Sequence, residues 1–145
     1  MKRTPLNDDA QVATLGGRLC ERGPLAGLSM DVVAGVVRAS SMIELAAGET
    51  LVREGEPATA EVYLLVEGTL VVQSRAGGFI ARLDQLGAVV GEAAVVLGSK
   101  RSADVLAETP VRAMVVPAQV LAQEQFADVA AGVRSAMLRD DWVKY

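Results

Sequence analysis

Hydrophobic and polar positions follow a strand-like pattern in the middle of the chain. From Ile43 to Val116, short apolar runs such as EVYLLVEGTLVVQS and VRAMVV are separated by Gly, Pro or charged pairs. Turn signals recur about every 8 to 12 residues, a spacing typical of an all-β sandwich or barrel rather than of strands alternating with helices. We therefore predict about eight strands with one helical interruption, and a tight hairpin at Gly68, where two runs meet.

Helical spacing flanks this region on both sides. Ser29 can cap a helix whose first turn carries Asp31, and Pro117 can open another helix near the end of the chain. The apolar positions that recur at helical spacing are Val32, Val33, Val36 and Val37, and then Phe126, Val129, Ala130, Val133 and Met137. These patterns predict one helix before the strands and a helix or helix pair after them.

The first 23 residues carry a weaker signal. The stretch QVATLGGRLCERG has helical spacing, but Gly16 and Gly17 break it, and glycine destabilises helix interiors. The whole chain has 145 residues, which suits a single hydrophobic core. We therefore treat residues 1–23 as an N-terminal extension and residues 24–145 as the folded domain.

Composition, charge and hydropathy exclude several classes of protein. The chain has no His and one cysteine, Cys20, so imidazole catalysis, His-built metal sites and an internal disulfide are excluded. The formal net charge is −4 and no Lys/Arg cluster exceeds two residues, so nucleic acid is not an expected partner. No apolar run approaches the roughly 20 residues of a membrane helix, and MKRTPLNDDA lacks the apolar stretch of a secretory signal. We expect a cytoplasmic protein that contacts neither membrane nor DNA.

One segment combines apolar residues with isolated charges, namely VVGEAAVVLGSKRSADV at residues 89–105. Gly91 permits a sharp change of direction, and the six residues after it can form a short helix whose N-terminal N–H groups suit an anion. Arg101 follows this helix, and its planar guanidinium can bind two phosphate oxygens at once. Glu92 can accept hydrogen bonds from ribose hydroxyls. This combination suits a sugar-phosphate ligand.

The same residues carry a family resemblance. GEAAVVLGSKRSA is similar to the phosphate-binding cassette of cyclic-nucleotide-binding domains, in which Gly-Glu and a short helix precede Arg-Ser/Thr/Ala-Ala. The resemblance extends from about residue 24 to about residue 140 and includes turn glycines and a strand tyrosine at Gly48, Glu54-Gly55, Tyr63, Glu67-Gly68 and Gly87. It implies a mainly β jelly roll (double-stranded β-helix) with an N-terminal helix, a short cassette helix and C-terminal helices.

The resemblance also implies roles for individual residues. The ligand would be cAMP or cGMP, with no cofactor and no metal. The implied ligand-binding residues are Gly91 and Glu92 for the ribose 2′-hydroxyl, Arg101, Ser102, Ala93 and Ala103 for the cyclic phosphate, and Val72, Ala81 and Arg82 around the base.

Two functions follow from the resemblance and from the departures from it. The first is a stand-alone, non-enzymatic sensor that acts through its C-terminal helices on a protein partner or in a homodimer. The second is a ligand-free interaction or dimerisation domain, because Val90, Ala93 and Lys100 replace residues common in the family. A cupin-like enzyme is disfavoured by the absence of His. No helix-turn-helix follows the last helix, so we expect no direct DNA binding.

Overall fold

The computed structural model describes residues 1–57, 59–91 and 100–139, and this part of the chain forms two antiparallel sheets with helices packed on one of them. The strands are β1 (Lys2–Pro5), β2 (Ser41–Leu45), β3 (Thr50–Val52), β4 (Glu61–Glu67), β5 (Leu70–Ser74), β6 (Gly78–Leu83), β7 (Val89–Val90), β8 (Asp104–Ala107) and β9 (Val111–Pro117). The helices are α1 (Asp9–Glu21), α2 (Met30–Arg38), α3 (Ala118–Leu121) and α4 (Ala127–Arg139), with a 3₁₀ turn at Glu124–Phe126.

The two sheets confirm the predicted mainly β jelly roll with flanking helices. The five-stranded sheet has the order β1-β2-β9-β4-β7, and the four-stranded sheet has the order β3-β8-β5-β6. Strands β2 to β9 are the eight predicted from the apolar runs, and β1 comes from the N-terminal segment. The predicted cassette helix lies outside the described residues.

Strand β4 is buried on both faces and separates two hydrophobic cores. Its Val62, Leu64 and Val66 pack against the helices, whereas Tyr63 and Leu65 pack between the two sheets. Because successive side chains of a strand point to opposite faces, a strand covered on both sides reads as one continuous apolar run. This explains why EVYLLVE shows no polar alternation.

The N-terminal 23 residues take part in the same fold. Strand β1 pairs antiparallel with β2. The apolar residues of this segment that are buried in the core beneath the helices are Leu6, Val12, Leu15 and Leu19. The segment therefore adds an edge strand and a core helix, and the domain boundary at residue 24 stays a prediction.

Helix α1 runs without a break through Gly16 and Gly17, so the predicted interruption is wrong. A Cβ on Gly16 would lie 2.9 Å from Cε of Met30, the first residue of α2. The missing side chain lets α1 and α2 approach closely, and this packing outweighs the low helix propensity of glycine.

Replacing Gly17 with alanine should stabilise the protein. No other group lies within 4 Å of a Cβ placed there in the described part of the chain, so the substitution keeps the helix and lowers the entropy of the unfolded chain. We expect a gain of about 0.5 to 1 kcal/mol in the free energy of unfolding, measured by urea denaturation. Gly16→Ala is the matched control and should gain less, because its Cβ meets Met30. An equal gain at both positions would contradict the packing argument.

Gly68 does not form the predicted hairpin. Strands β4 and β5, which it separates, belong to different sheets, so the chain crosses from one sheet to the other at this residue. Gly68 has a φ of +92°, and a Cβ there would collide with the carbonyl oxygen of Pro110 and lie 2.9 Å from Val111 Cγ2. Glycine is needed at this crossing for its backbone conformation and for its small size.

The flanking helices match their predicted positions. Helix α2 begins directly after Ser29, although the Ser29 side chain makes no capping hydrogen bond. The C-terminal apolar stripe is buried at Phe126, Val129, Ala130 and Val133, while the side chain of Met137 lies outside the described set. No helix among the described residues is long and apolar enough to cross a membrane.

Candidate functional site

Arg101 is a buried cation, with 3% of its surface exposed. Its Nη1 donates a hydrogen bond of 3.0 Å to the carbonyl oxygen of Gly91. Its Nη2 donates to Oγ1 of Thr59 at 3.3 Å and to the carbonyl oxygen of Glu61 at 3.5 Å. All three acceptors are neutral oxygens. We call Arg101 and its neighbours Gly91, Thr59, Glu61 and Tyr63 the Arg101 site.

The loop between β3 and β4 fixes the backbone of Arg101. The Arg101 N–H donates to the carbonyl of Glu56, and the Gly55 N–H donates to the carbonyl of Arg101, each at 2.9 Å. Pro57 and Lys100 form an isolated antiparallel bridge beside these bonds. The backbone of Arg101 is therefore held by main-chain contacts between segments that are more than 40 residues apart in sequence.

Gly91 follows β7 and turns its carbonyl group toward Arg101. It has a φ of +89°, a conformation that residues with a Cβ rarely adopt. A Cβ on Gly91 would collide with Nη1 of Arg101 and lie 3.2 Å from its Cζ. The glycine predicted from the sequence is thus needed for the close approach of the guanidinium.

The surroundings of Arg101 are electrostatically unusual. Burial lowers the pKa of the Arg101 guanidinium from its ordinary value, while Tyr63 and Glu61 act in the opposite direction. The Tyr63 ring centroid lies 5.9 Å from Arg101 Cζ, within the range of a cation–π contact. The guanidinium keeps its charge, because the pKa of arginine is far above neutral.

No carboxylate in residues 1–57, 59–91 and 100–139 forms an ion pair with Arg101. A buried charge that is only partly compensated by neutral dipoles loses hydration energy. An anion that reached this guanidinium would supply the missing countercharge, so the arrangement is suited to binding an anionic group.

Three of the predicted contact residues lie in the jelly-roll interior. Val72, Ala81 and Ala103 belong to or pack against the core between the sheets, which also contains Tyr63. Val72 and Ala81 face each other across β5 and β6. Ser102 is exposed next to Arg101. Glu92 and Ala93 lie outside the described residues.

Arg82 is not brought together with Arg101. It is exposed, and it pairs with Val71 in the β5–β6 register. Because neighbouring residues of a strand point to opposite faces and Val72 points into the core, Arg82 lies on the outer face of the sheet. There its guanidinium bonds to Glu108 at 2.9 Å and covers the ring of Phe79. Arg82 also lines an open cleft of about 440 Å³ that does not include Arg101. Its role as a base contact stays a prediction.

Sequence reasoning missed two charged or polar residues of the site. Thr59 precedes β4 in a loop with no motif of its own. The carboxylate of Glu61 accepts hydrogen bonds of 2.7 and 3.3 Å from Arg3, which is 58 residues away. Tyr63 was singled out as a strand aromatic, but its contact with Arg101 was not predicted. Strand pairing and loop packing together bring these residues to one place.

Fold and site define a jelly-roll domain with a buried arginine whose hydrogen-bond acceptors among the described residues are neutral oxygens. The sequence-family model of the cyclic nucleotide-binding domain matches residues 42–127 of this chain. The chain belongs to this family, whose members are ligand-binding regulatory domains.

Solved structures share this fold. The regulatory subunit of a cAMP-independent protein kinase A from Trypanosoma brucei superposes with a TM-score of 0.76 and 20% identity, over 92% of this chain and 48% of that one. A putative cyclic nucleotide-binding protein from Geobacter metallireducens GS-15 superposes with a TM-score of 0.69 and 18% identity, over 86% of this chain and 96% of that one. At these identities the likeness shows the fold alone.

One curated relative is similar in sequence. Glutaminase 2 of Bradyrhizobium diazoefficiens is 36% identical over 99 residues, which are 68% of this chain and 15% of the relative. The chain thus spans a small part of that protein and about half of the Trypanosoma subunit.

Proposed function

We propose that this domain binds a cyclic nucleotide, cAMP or cGMP, and acts as a regulatory sensor. The observation that supports this proposal best is the buried Arg101 guanidinium, whose partners among the described residues are all neutral oxygens. A cyclic phosphate carries one negative charge and presents two exocyclic oxygens, and a guanidinium can bind two such oxygens at once. The phosphate would thereby neutralise a charge that the fold has already removed from water.

The remaining predicted contacts have complementary chemistry. The exposed hydroxyl of Ser102 is adjacent in sequence to Arg101 and can donate to a phosphate oxygen. Val72 and Ala81 offer an apolar wall to a base. The roles of Glu92 and Ala93 rest on the family resemblance, with Glu92 accepting from the ribose 2′-hydroxyl.

We further propose that the C-terminal helices transmit the signal to a protein partner or a second copy of the chain. Val129 and Val133 of α4 pack in the core beneath the helices together with Val89 of β7, which lies two residues before Gly91. A ligand that contacts Gly91 can therefore favour one position of α4 over another. The shift can be no larger than the difference in ligand affinity between the two arrangements.

A ligand-free interaction domain is the second candidate. The Trypanosoma subunit with the same fold belongs to a cAMP-independent kinase, so the fold does not by itself imply regulation by cAMP. Val90, which precedes the cassette, and Ala93 and Lys100, which lie within it, are departures from the family pattern. The likeness to a glutaminase covers 15% of that protein and assigns no catalysis to this chain.

Isothermal titration with cAMP and cGMP in parallel separates the two candidates. We expect binding in the micromolar range or tighter, and the ratio of the two dissociation constants identifies the signal. A thermal shift provides an independent readout, because a ligand at 100 times its Kd stabilises the native state by about 2.7 kcal/mol. If neither nucleotide produces heat or a thermal shift, the sensor proposal is wrong and the interaction domain is favoured.

The ribose contact has its own test. Glu92→Ala should weaken binding by about 1 to 3 kcal/mol, because the lost bonds go to a neutral hydroxyl. The same nucleotide without its 2′-hydroxyl is the matched control. It should bind the unmodified protein more weakly and be indifferent to Glu92→Ala. If Glu92→Ala weakens binding of the deoxynucleotide as strongly as it weakens binding of the parent nucleotide, Glu92 does not contact the 2′-hydroxyl.

A further inference from the structure

Glu61 links Arg101 to a second arginine. Its backbone carbonyl is one of the acceptors of Arg101, at 3.5 Å. Its carboxylate instead bonds to Arg3, with Nη1 to Oε2 at 2.7 Å and Nη2 to Oε1 at 3.3 Å. One residue therefore contacts both guanidinium groups through different atoms, and its negative charge is directed to Arg3.

Strand register explains why these groups meet. Arg3 of β1 faces Ile43 of β2, and Ile43 packs in the core between the sheets. Glu61 lies two residues before Tyr63 on β4, so both side chains start toward the same interior face. Arg3 and Glu61 thus project from the same face of the five-stranded sheet as Tyr63, with side chains that are 48% and 22% exposed.

The two bonds to Arg3 determine where the Glu61 charge is held. A paired carboxylate–guanidinium geometry with two parallel bonds is stronger and more directional than a single contact. The hydrogen bonds that Arg3 donates to the Glu61 carboxylate raise the pKa of Arg3 above its ordinary value. The Glu61 carboxylate is also close enough to influence Arg101. Without Arg3, this carboxylate would lose its hydrogen-bonded partner, while its charge would still act on Arg101.

We propose that Arg3 is a positioning residue that holds the Glu61 carboxylate off Arg101 and so keeps the Arg101 charge available to an incoming anion. The identity of that anion as a cyclic phosphate rests on the function proposed above. Arg3 lies outside residues 42–127, which match the family model, so this device belongs to the N-terminal strand of this chain.

A double-mutant cycle tests the proposal. Arg3→Gln should weaken cAMP binding roughly 5- to 50-fold, the range of coupling between neighbouring charged groups, because the released carboxylate competes with the phosphate for Arg101. Adding Glu61→Gln should restore the affinity to within about threefold of the unsubstituted protein. Arg38→Gln removes a comparable surface pair with Asp9 and should leave binding unchanged. If the double variant binds as weakly as Arg3→Gln, Arg3 acts only on structure and the proposal fails.

A second readout needs no nucleotide. The side-chain ¹⁵N resonance of Arg101 in the free protein, assigned through its loss in Arg101→Lys, should shift in Arg3→Gln and return when Glu61→Gln is added. An Arg101 resonance that is unaffected by Arg3→Gln overturns the proposal. If the protein binds neither cAMP nor cGMP, the sensor function fails while this resonance still decides whether Arg3 controls the Glu61 charge.

Discussion

Replacing Arg101 with alanine should weaken cyclic-nucleotide binding by about 2 to 5 kcal/mol, the range for removing one partner of a desolvated charge pair. The guanidinium is buried and makes three hydrogen bonds, all to neutral oxygens. Its charge is therefore the main attraction available to a phosphate among the described residues of the site. Isothermal titration with the better of the two nucleotides measures the loss directly.

Two further variants make this measurement specific. Arg101→Lys keeps the charge but loses the planar pair of donors, so its affinity should fall between those of the unsubstituted protein and Arg101→Ala. Arg38→Ala, which removes an exposed arginine paired with Asp9, should bind normally. An Arg101→Ala protein that remains folded and keeps full affinity would show that the phosphate does not bind at Arg101.

Replacing Gly91 with alanine should damage both stability and binding. A residue with a Cβ at a φ of +89° is strained by about 1 to 3 kcal/mol. The added Cβ also collides with the Arg101 guanidinium, and overpacking of this kind costs about 1 to 3 kcal/mol more. We expect the free energy of unfolding to fall by about 2 to 6 kcal/mol in total, measured by urea denaturation.

Gly48→Ala is the matched control for Gly91→Ala. Gly48 has a φ of +90°, but in the described part of the chain a Cβ there meets no atom within 4 Å. It should lose only the contribution from backbone strain, about 1 to 3 kcal/mol, and keep its nucleotide affinity. Equal losses of stability and affinity at both glycines would mean that Gly91 has no special relation to Arg101.

The sequence predicted which chain segment carries Gly91 and Arg101, but it did not predict which distant residues contact them. Gly91 and Arg101 were identified from a glycine, a short apolar stretch and an isolated arginine, and the structure joins them by a 3.0 Å hydrogen bond. Thr59 and the Arg3–Glu61 pair were not identified, because they reach the site through loop packing and strand pairing. Arg82 was predicted near the base, whereas the register of β5 and β6 places it on the outer face.

The sequence by itself determined the class of fold. Short apolar runs between turn signals and the period-3.6 helical pattern depend on residues that are close along the chain. They predicted about eight strands between helices and a buried face for α2. Those patterns contain no information about which strand lies beside which.

The tertiary structure decided the strand order, and with it every contact that joins distant residues. In the folded protein, the chain passes from one sheet to the other at Gly68, where a hairpin was predicted. It kept α1 continuous through Gly16, since packing on α2 outweighs helix propensity. It also brought Arg3 to Glu61, and Glu61 to Arg101, across 58 and 40 residues. Such contacts depend on the total burial of apolar surface by the whole chain, and no short stretch of sequence determines that quantity.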